Sequence, residues 1–276
     1  MRYRVGAAIA IAVAVMAAGF LLTGAKIAGQ GQGTTYRAPR TPDGKPNLNG
    51  IWQAVNTANY DLLSHPAKPS PVIALGAAGA IPAGLGVVEG DEIPYLPAAL
   101  AKKRQNAEKW LTLDPEVKCY MPGVPRATYM PFPFQVVQTP AAILVAYEFA
   151  SASRVINMTG PVEDPVDSWM GYSHGRWEGE TLVVESKGFN DSTWFSRAGD
   201  HHSEALKVTE RYTPINANAL QYEATMEDPK TFSRPWKISM PLYRRIDKNM
   251  QLLEFKCVEF VEELMYGHLR KQSTTR

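Results

Sequence analysis

From residue 136 onward, apolar and polar residues alternate along several short segments. The alternation covers residues 143–149, 182–185, 205–212, 220–227, 236–242 and 253–257. A period of two is typical of strands with one buried face, and the turn-forming sequences between the segments predict about eight short strands. Because no helical pattern separates them, we expect antiparallel neighbours in chain order. The predicted fold is therefore mainly β, an up-and-down barrel or strongly bent sheet.

One helix and one long insertion precede these strands. Residues 97–113 have apolar positions at helical spacing, a proline in the first turn and an Asp-Pro pair after the last. Residues 64–97 contain six prolines, at positions 66, 69, 71, 82, 94 and 97, which exclude a long helix or a central strand. We expect a Pro/Gly-rich insertion and one or two peripheral helices, the second covering residues 258–271.

The N-terminus resembles an export signal. A short basic stretch precedes an uncharged apolar run at residues 5–22, and small residues follow it. We expect a signal peptide at 1–25, a flexible linker at 26–45 and one barrel-like domain at 46–271. An uncleaved anchor through residues 5–22, which would attach the protein to the inner membrane, is the alternative. Either interpretation predicts a periplasmic or secreted protein.

The net charge limits the possible partners, and the cysteine content predicts a disulfide. Without Arg2 and Arg4 the chain carries 27 basic and 27 acidic residues, since the whole chain has 29 and 27. A neutral body without a basic stripe predicts no nucleic-acid partner. Cys119 and Cys257 are the two cysteines, and in an oxidising compartment one pair favours one disulfide. Two buried thiols are the alternative.

Several motifs resemble a large, uncharacterised family of exported bacterial proteins. They include GRWEGETLVVES at 175–186, LKVTERY at 206–212 and LLEFKC-x-E at 252–259. In many members the last motif continues Cys-x-Glu-x-Asn, whereas Val261 stands at the Asn position here. The triplet Gly50-Ile51-Trp52 also resembles the first strand of lipocalins and related calycin barrels, in which the Trp closes one end. These resemblances imply a calycin-like fold and no particular reaction.

Glu210 interrupts the apolar face of its predicted strand. It shares that face with Leu206, Val208 and Tyr212, so a barrel would direct its carboxylate inward. Burying a carboxylate without a partner is costly. We therefore expect an arginine such as Arg126, Arg176 or Arg244, a histidine, or a ligand group beside it. An internal Glu–Arg pair that determines strand register is the structural alternative.

Tryptophan and histidine are dense around the same strand. The predicted ligand-binding residues are Arg126, His174, Arg176, Trp194, His201, His202, Glu210 and Arg211. Histidine and carboxylate together could bind a metal, but no metal-binding spacing is present, so we predict no metal and no cofactor. If the protein is an enzyme, His202 and Glu210 are the acid–base candidates.

Three functions remain open at this level. The first is an exported protein that binds a small apolar or amphipathic molecule in a largely apolar cavity. The second is an acid–base enzyme, a lyase, isomerase or hydrolase, that uses His202 and Glu210. The third is a membrane-tethered structural subunit of an envelope complex.

Overall fold

The computed structural model describes residues 36–161, 163 and 166–255, and these residues form a mainly β structure. Nine strands make up one sheet. They are β1 Gly50–Ala54, β2 Phe134–Gln138, β3 Ala142–Tyr147, β4 Ser153–Asn157, β5 Tyr172–Glu178, β6 Thr181–Lys187, β7 Lys207–Asn216, β8 Ala219–Glu227 and β9 Trp236–Arg244.

The nine strands pair in chain order and close into a barrel through β1 and β9. The mainly β, barrel-like prediction is confirmed. The expectation of antiparallel pairing throughout is wrong at one junction, because β4 and β5 run parallel and are joined only at Ile156–Ser173 and Asn157–His174. The connection between these strands, at 158–171, is long enough to return the chain to the same end of the barrel, which a tight hairpin cannot do.

Period-two alternation places one apolar face of each strand inside the barrel. Along β8 the residues Leu220, Tyr222, Ala224 and Met226 are all buried. Trp52 is 1 % exposed, and its indole N–H donates to the Leu48 carbonyl at 2.9 Å. The guanidinium of Arg244 lies 4.2 Å from the centre of the Trp52 ring. Trp52, which lies on β1 and is paired with Arg244 of β9, thus packs into the core where the barrel closes, as expected for a calycin-like barrel.

Three short α-helices lie among the described residues, at α1 Pro97–Glu108, α2 Trp110–Leu113 and α3 Arg126–Tyr129. The helix predicted over 97–113 is therefore interrupted at Lys109, whose φ of −123° is not helical. Residues 64–97 contain short 3₁₀ turns and isolated bridges, such as Val88 with Ile238. Among the described helices, none combines the length and the apolarity needed to cross a membrane.

Several predictions fall on the chain termini. Residues 251–255 form no strand, so the strand predicted at 253–257 is wrong over its described part, where Phe255 instead packs on Phe149 with ring centres 4.8 Å apart. The predicted signal or anchor at 1–25, the helix at 258–271 and Cys257 lie outside the described residues. The Cys119–Cys257 pairing therefore stays a prediction.

Candidate functional site

Glu210 lies at the centre of a polar cluster inside the barrel. Its carboxylate accepts two hydrogen bonds from Arg154, at 2.6 Å from Nη1 and 3.0 Å from Nη2. The hydroxyls of Tyr212 and Tyr222 each donate to Oε1 at 2.8 Å. All four residues are buried, and Glu210 is 0 % exposed. Together with Tyr147 and Thr128 they form what we call the buried polar cluster.

The partner of Glu210 is Arg154, which was not one of the predicted partners. The predicted arginines Arg126, Arg176 and Arg244 lie elsewhere in the structure. Arg154 reaches Glu210 because β4 and β7 face each other across the barrel, although 56 positions separate the two residues in the chain. The structural alternative, an internal Glu–Arg pair, is the arrangement observed.

The environment of the cluster favours the charged pair and neutral phenols. Burial opposes the charge on Arg154, but the Glu210 carboxylate outweighs it and raises the pKa of the guanidinium. Burial, followed by the negative charge of Glu210, raises the pKa of Tyr212 and of Tyr222 well above the ordinary value. Arg154 is therefore held in its charged form, and Tyr212 and Tyr222 in their neutral forms.

Three polar atoms of the cluster make no hydrogen bond of normal geometry to any of the described residues. They are Arg154 Nε, Tyr147 Oη and Thr128 Oγ1, and all three residues are at least nine-tenths buried. Burial raises the pKa of Tyr147, and the positive charge of Arg154 opposes it, with smaller lowering effects from close approach of the Thr128 hydroxyl and the Arg154 guanidinium. The hydroxyls of Tyr147 and Thr128 are nevertheless not placed for a hydrogen bond of normal geometry.

A groove of about 720 Å³ opens beside this cluster, where β4 meets β5. We call it the seam groove. Its lining residues are Met121, Ala142, Ser153, Arg154, Val155, Asn157, Ser168, Trp169, Met170, Gly171, Tyr172 and Ser173. The Trp169 ring stacks on Tyr120 with ring centres 5.3 Å apart. Arg154 belongs to both the groove and the buried polar cluster.

The seam groove exists because β4 and β5 overlap over only two residue pairs. At both ends of the β3–β4 pairing, backbone hydrogen bonds join Tyr147 to Ala152 and Met158 to Ala141. Antiparallel ladders alternate, so this phase directs the backbone N–H and C=O of Ser153 and Val155 toward the β5 side. Pairing with β5 begins only at Ile156. The wall of the groove thus carries backbone polar groups as well as apolar side chains.

The barrel interior contains much less space than the seam groove. A void lined by Leu48, Phe134, Leu182, Tyr212 and five other apolar residues has a volume of about 10 Å³. That volume holds at most one water molecule. A ligand of drug-like size fits the seam groove, whose volume lies within the range of small-molecule sites, and does not fit this void.

The predicted histidines lie in a different place, on the loop between β6 and β7. His202 is 1 % exposed, and its Nδ1 lies 2.8 Å from the Ser203 carbonyl. Because a carbonyl only accepts, Nδ1 carries the proton, and Nε2 accepts from the Thr193 hydroxyl at 2.6 Å. Burial lowers the pKa of His202. Both ring nitrogens are thus engaged in fixing the loop.

His201 and Trp194 belong to the same loop and form an isolated bridge with each other. The His201 ring stacks on Tyr95 with centres 6.0 Å apart. Burial first, and then the charge of Lys102, lower the pKa of His201 to about 4. Neighbouring Asp200 accepts from Tyr95 at 2.9 Å. These contacts hold the loop against the insertion and α1.

Arg126 is a structural residue in this arrangement. Its guanidinium donates to both carboxylate oxygens of Asp114 at 2.8 Å and, through Nε, to Asn59 at 2.8 Å. Arg197 makes a similar two-pronged contact with Glu116 at 2.8 Å. Both ion pairs join the segment before α3 to its neighbours, so Arg126 contacts this network rather than the seam groove.

The remaining predicted site residues face the outside of the barrel. Arg176, on β5 like Glu178 itself, and Arg211, on β7, both form ion pairs with Glu178, and all three side chains are more than a third exposed. His174 lines a second, polar groove of about 490 Å³ on the outer face of β5 to β7. The eight predicted ligand-binding residues are therefore distributed over four locations: the barrel interior, the β6–β7 loop, the Arg126 network and the outer face.

Among the described residues, no three His, Cys, Asp or Glu side chains lie together as a metal site would require.

Two residues that line the seam groove, Arg154 and Met121, were not among the predicted site residues. Arg154 carried a usable signal, because it shares the inward face of β4 with Ile156 and so interrupts an apolar face just as Glu210 does.

Comparisons of the chain with protein-family models, with curated proteins and with solved structures give no match. The resemblance to an exported bacterial family stays a prediction.

Proposed function

We propose that the protein binds a small, largely apolar molecule in the seam groove. The observation that carries this proposal is the combination of about 720 Å³ of space with aromatic and thioether walls and a few polar groups. Trp169, Tyr172, Met121 and Met170 supply the apolar surface, and methionine adapts readily to ligands of different shape. Small-molecule sites typically combine such walls with few, well-placed polar atoms.

The exposed apolar residues beside the groove support the same proposal. Met121 is 43 % and Val155 58 % exposed, although both are large apolar side chains. Exposed apolar surface that continues into a groove is typical of binding sites. Export, which would place this groove in the periplasm or outside the cell, belongs to the proposal as well.

Binding of the uncharged fluorescent probe N-phenylnaphthylamine tests the proposal. We expect saturable binding to the wild-type protein. Val155→Arg places a charged side chain in the groove and should weaken binding at least about 10-fold, since burying a charge beside an apolar ligand is costly. Circular dichroism establishes that the variant is folded.

Val137→Arg is the matched control. Val137 is 41 % exposed on β2 and belongs to the same outer row of the barrel, since its register partner Leu144 is in turn paired with Val155. It does not line the groove, so we expect unchanged affinity. Absence of saturable binding to the wild type, or equal affinity of the two variants, would contradict the proposal.

A further inference from the structure

Strand β4 has an edge that its neighbour β5 does not cover. The phase of the β3–β4 ladder directs the main-chain groups of Ser153 and Val155 away from β3. Because the groups of Ile156 bond to β3, its parallel partner Ser173 donates to the Val155 carbonyl instead. The Val155 N–H and both main-chain groups of Ser153 have no strand partner, and no main-chain group of the described residues outside the strands bonds to them. Two donors and one acceptor therefore lie along this edge.

The chain before β5 does not cover the edge, because it is held on its other side. The Ser168 N–H donates to the Gly188 carbonyl, and the Ser168 carbonyl accepts from the Asn190 N–H, both at 2.9 Å. The seam groove lies between this segment and β4, and both Ser153 and Val155 line it. An unpaired strand edge is a template on which another extended chain can pair through its main-chain groups.

The lining of the seam groove favours an uncharged ligand. Among the described residues that line it, Arg154 is the one charged residue, and its guanidinium already binds Glu210 in a two-pronged ion pair. A charged ligand would lose hydration there without gaining a counter-ion, which is costly. A peptide bond is uncharged and carries both a donor and an acceptor.

We infer that the ligand of the seam groove is a short, uncharged, apolar peptide that binds in extended form along the edge of β4. This inference rests on the proposed function and adds the chemical class of the ligand to it. The Ser153 and Val155 main chain supplies the hydrogen bonds, and the aromatic and thioether walls of the groove cover the apolar side chains.

The three free groups of the edge determine the smallest peptide that satisfies them. They extend over two residue steps, roughly 7 Å of strand. In an extended, acylated dipeptide amide, the acyl carbonyl and the N–H and carbonyl of the second residue all face the same side. These three groups match Ser153 and Val155 whether the peptide runs parallel or antiparallel to β4. The N–H of the first residue faces away from β4 in both orientations.

Two isomeric peptides test the inference. The parent is acetyl-dileucine methylamide, and each isomer carries one N-methyl group, on the first or on the second leucine. Displacement of N-phenylnaphthylamine measures their affinities for the groove. We expect N-methylation of the second leucine to weaken binding at least about 10-fold, because it removes the donor to the Ser153 carbonyl. N-methylation of the first leucine should leave the affinity within about 3-fold of that of the parent.

Val155→Pro and Val155→Thr form a matched pair of protein variants. Proline removes the Val155 N–H, and the β3–β4 ladder keeps its hydrogen bonds because that N–H points away from β3. Threonine is also β-branched and keeps the N–H. We expect the peptide affinity relative to the probe affinity to fall about 3- to 10-fold in the proline variant and to stay unchanged in the threonine variant. Circular dichroism establishes folding, and the isomeric peptides decide the question without any variant.

The outcomes distinguish this inference from the proposed function. If neither the probe nor the parent peptide binds, the proposed function fails and the inference fails with it. If the probe binds but the parent peptide does not displace it, or the two isomers compete equally, the groove is a binding site and the peptide class is wrong. Equal relative affinities in folded Val155→Pro and Val155→Thr would also overturn the inference.

Discussion

Arg154 and Glu210 join two strands across the barrel through two hydrogen bonds, of 2.6 Å and 3.0 Å, and both side chains are buried. A buried ion pair of this kind contributes little net stability compared with an apolar pair, but removing one partner leaves an uncompensated charge. The pair therefore makes its two residues strongly dependent on each other.

Glu210→Gln should consequently destabilise the protein by about 3–5 kcal/mol. The double variant Arg154→Met with Glu210→Gln removes both charges and keeps an acceptor for Tyr212 and Tyr222. We expect it to be more stable than Glu210→Gln alone. Urea unfolding of the wild type, of Glu210→Gln, of Arg154→Met alone and of the double variant gives the four free energies of the cycle, and strictly additive effects would show that the two side chains are not coupled.

Acid should destabilise the β6–β7 loop through His201. Its pKa in the folded protein is about 4, below the ordinary value of about 6.5, so the unfolded chain binds the proton more tightly. The stabilising contribution is complete above about pH 6.5 and is lost as the pH falls through about 4. His202, whose pKa burial also lowers, acts in the same direction.

His201→Phe keeps an aromatic ring against Tyr95 and removes the titrating group. We expect the decrease in unfolding free energy between pH 6.5 and pH 4 to become smaller by about 2 kcal/mol. Urea denaturation at a series of pH values measures it. An identical pH dependence in the variant and the wild type would contradict this account of His201.

Alanine substitutions at Gly171 and Gly179 allow the cost of backbone strain to be distinguished from the cost of steric crowding. Both have left-handed backbones, with φ of +63° and +62°. A Cβ on Gly179 meets open space, whereas one on Gly171 would lie 2.6 Å from the Phe189 ring and 2.9 Å from the Lys187 carbonyl. Alanine at position 179 should cost about 1–2 kcal/mol from backbone conformation.

Alanine at position 171 should cost more than that, because the carbonyl is part of the backbone and cannot move aside easily. Gly171 lines the seam groove, so the same substitution should also alter probe binding. Thermal unfolding of the two variants gives the comparison. Equal losses would mean that Phe189 and Lys187 accommodate the new methyl group.

The predicted disulfide between Cys119 and Cys257 has a direct test. When the protein is unfolded in denaturant without a reductant, we expect iodoacetamide to modify neither cysteine. After reduction, we expect it to modify both. Cys257→Ser should lower the free energy of unfolding by about 2–5 kcal/mol, the usual effect of removing a disulfide that closes a long loop. Two modified cysteines without prior reduction would contradict the prediction.

The barrel could be predicted because its information is local. Alternation with a period of two indicates which side chains face inward. A charged residue on an apolar face, such as Glu210, predicts a buried partner of opposite charge. The same reasoning applies to Arg154, but the five-residue strand β4 was not among the predicted strands, so this signal was not used. The burial of His201 and His202 could not be predicted, because a loop has no alternating pattern that indicates which side chains face inward.

The sequence by itself determined a mainly β barrel with strands in chain order and an inward carboxylate at position 210. Only the tertiary structure decided that Arg154 is its partner and that β4 and β5 meet in parallel over two residue pairs. Both depend on barrel closure, which brings together residues whose separation in the chain has no local signature. The seam groove follows from that closure, since the gap exists only where two strands overlap incompletely.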